Sequence, residues 1–123
     1  MIGVPAMPTN LWNYQARLLR VIDGDTVSVL LDQGMRETRE ETVRLLGINT
    51  PERTGATRAA GDAAKAFTEA WLRRDDVKWP LIVHTERADA FGRWLAWVWR
   101  ASDGRCLNAD LLAAGHAVVF MAD

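Results

Sequence analysis

A single cysteine, Cys106, excludes a disulfide within the chain, and it reads as a small core residue. Only two histidines are present. His84 and His116 lack metal-ligand spacing or a neighbouring nucleophile, so both read as structural. No apolar run approaches the roughly 20 residues that a bilayer-spanning helix needs. Met1 to Asn10 has neither a basic start nor a sustained apolar region, which argues against a secretory signal and makes the cytoplasm the expected location. An excess of positive charge is also missing: 15 Lys and Arg stand against 16 Asp and Glu, a net charge of −1. That balance excludes a generally cationic nucleic-acid binder, so any attraction to phosphate must come from local arginines and should be salt-sensitive. There are no internal repeats and no low-complexity segments.

What is present suits one globular domain with a single core: 123 residues, 49% hydrophobic and 25% charged. Residues 1–12, with Pro5 and Pro8, read as an extended arm whose end Trp12 and Tyr14 pin, and 13–123 as the domain. Asn13 to Ile22 and Thr26 to Leu31 read as strands, with Val27, Val29 and Leu31 on one face. The mixed charges of Met35 to Glu41 predict a solvated loop or exposed hairpin end, followed by a third strand from Thr42 to Ile48. In Arg58 to Arg74 the positions Ala60, Ala63, Ala64, Phe67, Ala70 and Trp71 recur at helical spacing. Strands are expected over Val77 to Glu86, with Pro80 near its entrance, and over Trp94 to Trp99. Asn108 is the expected N-cap of a short helix, Ala109 to Ala114, closed by Gly115; Ala117 to Phe120 is a last extended piece.

Chemistry is expected where the apolar run Val43-Arg44-Leu45-Leu46-Gly47-Ile48 meets the polar loop Asn49-Thr50-Pro51-Glu52. Pro51 stiffens the loop that carries Glu52. Arg44 interrupts an otherwise core-facing strand and needs an anion or a carboxylate there. A second stretch, Val21-Ile22-Asp23-Gly24-Asp25-Thr26, is a strand, a tight turn and a strand, and both aspartates fit as mere turn formers. A third, Asp89-Ala90-Phe91-Gly92-Arg93, puts another arginine at the mouth of a strand. Trp97 and Trp99 share a strand face, suited to barrel-shoulder packing or to a stacking platform.

Together, in this order, these three stretches resemble the staphylococcal nuclease family, and the likeness extends from about Arg17 to about Phe120. The resemblance implies an α+β, mainly β, fold: a five-stranded OB-type barrel with two flanking helices. The family's C-terminal helix is absent from the sequence, leaving apolar surface for the arm, the tryptophans or a second copy in a homodimer to cover. It implies metal-dependent hydrolysis of phosphodiesters in single-stranded or frayed DNA, or in RNA, with little sequence preference. Arg44, Glu52 and Arg93 would be the catalytic residues. Asp25, Asn49 and the Thr50 carbonyl would hold a divalent metal, calcium first and magnesium or manganese otherwise. Phe91 would stack on substrate and Asp23 would support the turn. Two departures bear on activity. The family's active members usually carry aspartate where Asn49 stands, so the formal ligand charge falls by one. Its phosphate-gripping lysine and tyrosine are replaced by Ala90 and Phe91. The alternative reading is a catalytically weakened or inactive OB-type module that binds nucleic acid or a protein.

Overall fold

The computed structural model describes residues 3–7, 12–73 and 76–120. Of the expected arm, residues 3–7 are exposed and lack regular structure, while 1, 2 and 8–11 lie outside the described residues, as does Arg74 at the expected helix end. Trp12 is exposed but its carbonyl accepts the Thr85 N–H at 3.1 Å. Tyr14 packs on the core.

The described strands are β1 (Asn13–Asp23), β2 (Thr26–Asp32), β3 (Thr38–Leu45), β4 (Ile48–Asn49), β5 (Leu81–Ala88), β6 (Trp94–Arg100) and β7 (Val118–Val119). Five of them close a barrel in the order β1-β2-β3-β6-β5, and β4 pairs with β7 beside it. Only the β3–β6 pairing in the barrel is parallel. Inward positions follow the period of two: Val27, Val29 and Leu31, then Val43 and Leu45, Leu81 and Val83, Ala96 and Val98 are all buried. The α+β, OB-type architecture expected from the sequence is the one observed.

The third strand starts earlier and ends sooner than expected. Thr38 to Glu41 belong to β3 because Asp32, Leu31, Leu30 and Val29 of β2 satisfy their ladder, leaving charged side chains on the wet face. The chain then turns at Leu46–Gly47, where Gly47 adopts φ +78°, a conformation that disfavours any residue with a side chain. β5 begins at Leu81 instead of Val77, immediately after Pro80, which has no N–H to donate to a ladder.

Helix α1 (Arg58–Leu72) buries Gly61, Ala64, Thr68, Trp71 and Leu72. This line is rotated from the expected stripe, leaving Ala60, Ala63 and Ala70 exposed. The reason is close approach: a Cβ on Gly61 would lie 2.6 Å from the Glu52 carbonyl oxygen and 2.8 Å from that of Pro51. Thr68 adds a hydrogen bond to the Gly24 carbonyl at 2.7 Å, so α1 touches both the β1–β2 turn and the loop after β4.

Asn108 is not the cap of α2 (Leu107–Ala113); Cys106, half-buried, takes that position. Asn108 is 1% exposed and its amide donates to the carbonyls of Leu46 and Ala96, while its oxygen accepts the Val98 N–H. Helical spacing hid this because a polar residue before an apolar run also fits a cap. At the other end, His116 N–H bonds Leu111 O and Gly115 N–H bonds Leu112 O, a closure of the Schellman type. The two helices meet where the Trp71 indole donates to Asp110 at 2.8 Å and Arg105 forks onto the same carboxylate.

Gly61→Ala should lower stability by about 1–3 kcal/mol in urea unfolding, although alanine favours helices, because backbone atoms block the new methyl. The Arg105 hydrogen bond, opposed by burial and aided by the Trp71 indole, holds the Asp110 carboxyl below its ordinary pKa. Its stabilisation is therefore complete above the unfolded value, about 3.9, and is lost as pH falls through the lower folded one. Asp110→Asn should melt lower at neutral pH, and the gap to the unaltered protein should close in acid.

Candidate active site

Asp25 lies in the two-residue turn between β1 and β2 and is 7% exposed. A carboxylate so enclosed needs partners, and it has three. Thr26 donates its hydroxyl to Oδ1 at 3.1 Å, the Thr50 backbone N–H donates to Oδ2 at 3.1 Å, and Arg44 Nη2 stands 3.3 Å from Oδ2. Arg44 sits opposite Thr26 in the β2–β3 ladder, so register alone brings it to the turn. Its Nη1 donates to the carbonyls of Leu45 and Ile48, and Nη2 donates to Asn49 Oδ1 at 3.0 Å. The β3–β4 turn thus wraps its own arginine.

Glu52 follows two residues after Thr50 on the loop that backs onto Gly61. Its carbonyl accepts the Thr57 hydroxyl at 2.7 Å, which fixes the backbone while the side chain remains exposed. Below it, Arg53 donates to Asp62 of α1 at 2.9 Å, stands 3.8 Å from Asp23, and reaches the Ile22 carbonyl. The hydrogen bond to Asp62 raises the Arg53 pKa and lowers that of Asp62. Asp23, expected only to support the turn, therefore faces a cation.

Arg93 is held by the turn that precedes β6. Asp89 accepts the backbone N–H groups of Phe91 and Arg93 at 2.9 Å each, and its other oxygen takes Arg93 Nε at 2.8 Å and Nη2 at 2.7 Å. Burial acts to raise the Asp89 pKa, but these hydrogen bonds outweigh it and hold the carboxyl below the usual range. The Arg93 guanidinium also covers the Phe91 ring at 5.4 Å, while Phe91 itself is 83% exposed.

All eight residues singled out from the sequence, Asp23, Asp25, Arg44, Asn49, Thr50, Glu52, Phe91 and Arg93, line one open cleft of about 950 Å³. Trp97 lines it too, with its indole 3.4 Å from Glu86, whereas Trp99 does not. Asp89, Arg53, Gly61 and Asn108, which brace the elements around the cleft, are not among the expected site residues. Asp89 had a signal, its place four residues before Arg93 across a glycine turn; the others depend on contacts distant in sequence.

The residues expected to hold a metal fit one only as an oxygen set of low charge. Asp25 offers the one carboxylate, Asn49 a neutral amide oxygen already engaged by Arg44, and Thr50 a carbonyl. Among the described residues no three His, Cys, Asp or Glu side chains gather around a common point. Such a set would suit a hard cation and would hold it more weakly than two carboxylates. No helix among the described residues is long and apolar enough to cross a membrane.

Residues 42–123 match the family model described as staphylococcal nuclease homologue. The chain is 39% identical over 101 residues to a thermonuclease of Staphylococcus intermedius, covering 80% of this chain and 55% of that protein. It is 31% identical over 104 residues to a thermonuclease of Staphylococcus hyicus, covering 82% and 56%. Protein ParB of Escherichia coli is 30% identical over 110 residues, covering 84% and 55%. The chain spans about half the length of these curated relatives. With the barrel, the three stretches and the cleft in register, the chain belongs to the family of staphylococcal nuclease homologues.

Proposed function

We propose that the chain hydrolyses phosphodiester bonds of single-stranded or frayed DNA, and of RNA, with little sequence preference and with help from a divalent cation. The observation that carries this reading is the convergence of Arg44, Arg93 and Glu52 on one open cleft whose floor is the Asp25 turn. Glu52, exposed on a fixed backbone, takes the proton of the attacking water as its oxygen bonds to phosphorus. Arg44, anchored through Nη1, presents its remaining donors to the phosphoryl oxygens, with a phosphate oxygen substituting for the Asn49 amide. Arg93 is set by Asp89 in the same cleft, and a planar fork suits two phosphoryl oxygens better than a lysine does. As the bond to the leaving oxygen breaks, that oxygen takes a proton from solvent. Phe91 offers a face on which any base can stack, consistent with weak sequence preference. When bound by Asp25, Asn49 and Thr50, the cation, calcium first for an oxygen-only set, would offset charge on the phosphoryl group.

End-labelled single-stranded DNA should be cleaved by the purified protein with calcium, magnesium or manganese and left intact with chelator. Glu52→Gln should lower kcat by about 10²–10⁴-fold while still binding the strand. Strand binding with no cleavage under any of these ions, unaltered in Glu52→Gln, would replace this reading with a binding module.

Asp89→Asn should lower kcat/KM through a misplaced Arg93 with the fold retained, as circular dichroism would report. Because the Asp89 pKa is depressed, the unaltered turn should keep Arg93 in place down through the ordinary aspartate range, about pH 4. An Asp89→Asn enzyme with wild-type kcat/KM would count against the positioning of Arg93 by this carboxylate.

A further inference from the structure

Among the described residues four arginines line the cleft, and three of them are already paired: Arg44 with Asp25, Arg53 with Asp62 and Asp23, Arg93 with Asp89. The fourth, Arg87, is exposed and has no carboxylate within ion-pair distance among the described residues. It is not among the expected site residues. Its position comes from an irregularity in β5: Thr85 opposes Ala96 and Arg87 opposes Leu95, so Glu86 is an extra residue in the ladder. In a regular strand Glu86 and Arg87 would point to opposite faces, but this bulge places both against the cleft. The Glu86 carboxylate meets the Trp97 indole, not Arg87. Arg87 therefore enters the cleft as an uncompensated cation, two residues before the turn that carries Phe91 and Arg93. At the tip of that turn Ala90 adds no charge.

A strand whose phosphate lies between Arg44 and Arg93 must continue out of the cleft, and its next phosphate needs a counter-charge in a wall lined by Asp23, Asp25, Glu52, Glu86 and Asp89. We propose that Arg87 forms a second phosphate subsite, which takes the backbone phosphate of a nucleotide neighbouring the scissile bond while Phe91 stacks on a base. This rests on the nucleic-acid reading of the cleft. Arg87 touches no reacting atom in this account; it is a binding residue, and it acts on substrate capture and not on the chemical step.

The test measures binding of a fluorescent single-stranded oligothymidylate by anisotropy, in chelator, across a salt series, for the unaltered protein, Arg87→Ala and Arg20→Ala. Arg20 is an exposed β1 arginine outside the cleft wall. Arg87→Ala should bind more weakly, and the slope of log affinity against log salt should shrink by about 0.7, the value for one phosphate contact on a single strand. Arg20→Ala should match the unaltered protein. In cleavage, Arg87→Ala should raise KM and leave kcat unchanged. An Arg87→Ala protein with the unaltered affinity and salt slope overturns the subsite and leaves the nuclease reading standing. Loss of slope in a protein that binds but never cleaves supports the subsite while removing the nuclease reading. No binding by the unaltered protein overturns both.

Discussion

The site is built around the burial of one carboxylate. Asp25 sits almost out of water in a turn, and a charge there is tolerated only when donors surround it. Its donors come from three segments: Thr26 of β2, Arg44 of β3 and the Thr50 amide beyond β4. Satisfying Asp25 therefore locks the first turn of the barrel to the loop that carries Glu52. Such a buried pair adds little net stability, because desolvation offsets attraction, but it fixes geometry: removing either partner strands the other. Packing enforces the same geometry from behind, where Gly61 lets α1 press against the Pro51 and Glu52 carbonyls.

Arg44 and Arg93 are held by different means. Arg44 is wrapped by its own turn, with two carbonyls on Nη1 and Asn49 on Nη2. Arg93 is gripped by a carboxylate that also caps the turn it stands on. Asn49 thus contributes to the guanidinium network as well as to the floor of the cleft. A neutral side chain there leaves Asp25 as the carboxylate that balances Arg44 among the described residues, and would give a cation fewer charges to bind.

Much of this was readable in the sequence because it is local. Alternation fixed the inward faces of β2, and the Asp-Gly-Asp turn, the Arg44 strand and the Phe-Gly-Arg turn each fall within a few residues. The eight residues they supplied meet in one cleft. What was misread depends on distant partners. Asn108 looked like a cap because only the fold brings Leu46 and Ala96 to its amide. The α1 stripe was rotated because Gly61, poor for a helix by itself, answers to a loop nine residues away. Of the two readings open for Met35 to Glu41, Thr38 to Glu41 take the hairpin end, with charges facing water while β2 satisfies their backbone. The bulge that admits Arg87 has no mark in composition at all.

The most direct test of this account follows the rate of single-stranded DNA cleavage against calcium concentration for the unaltered chain and for Asn49→Asp. The account predicts that both cleave and give the same products, with the unaltered chain requiring more calcium to reach half its maximal rate. No cleavage by the unaltered chain at any calcium concentration, with activity appearing only in Asn49→Asp, would contradict it: Asn49 would then disarm the site instead of tuning it.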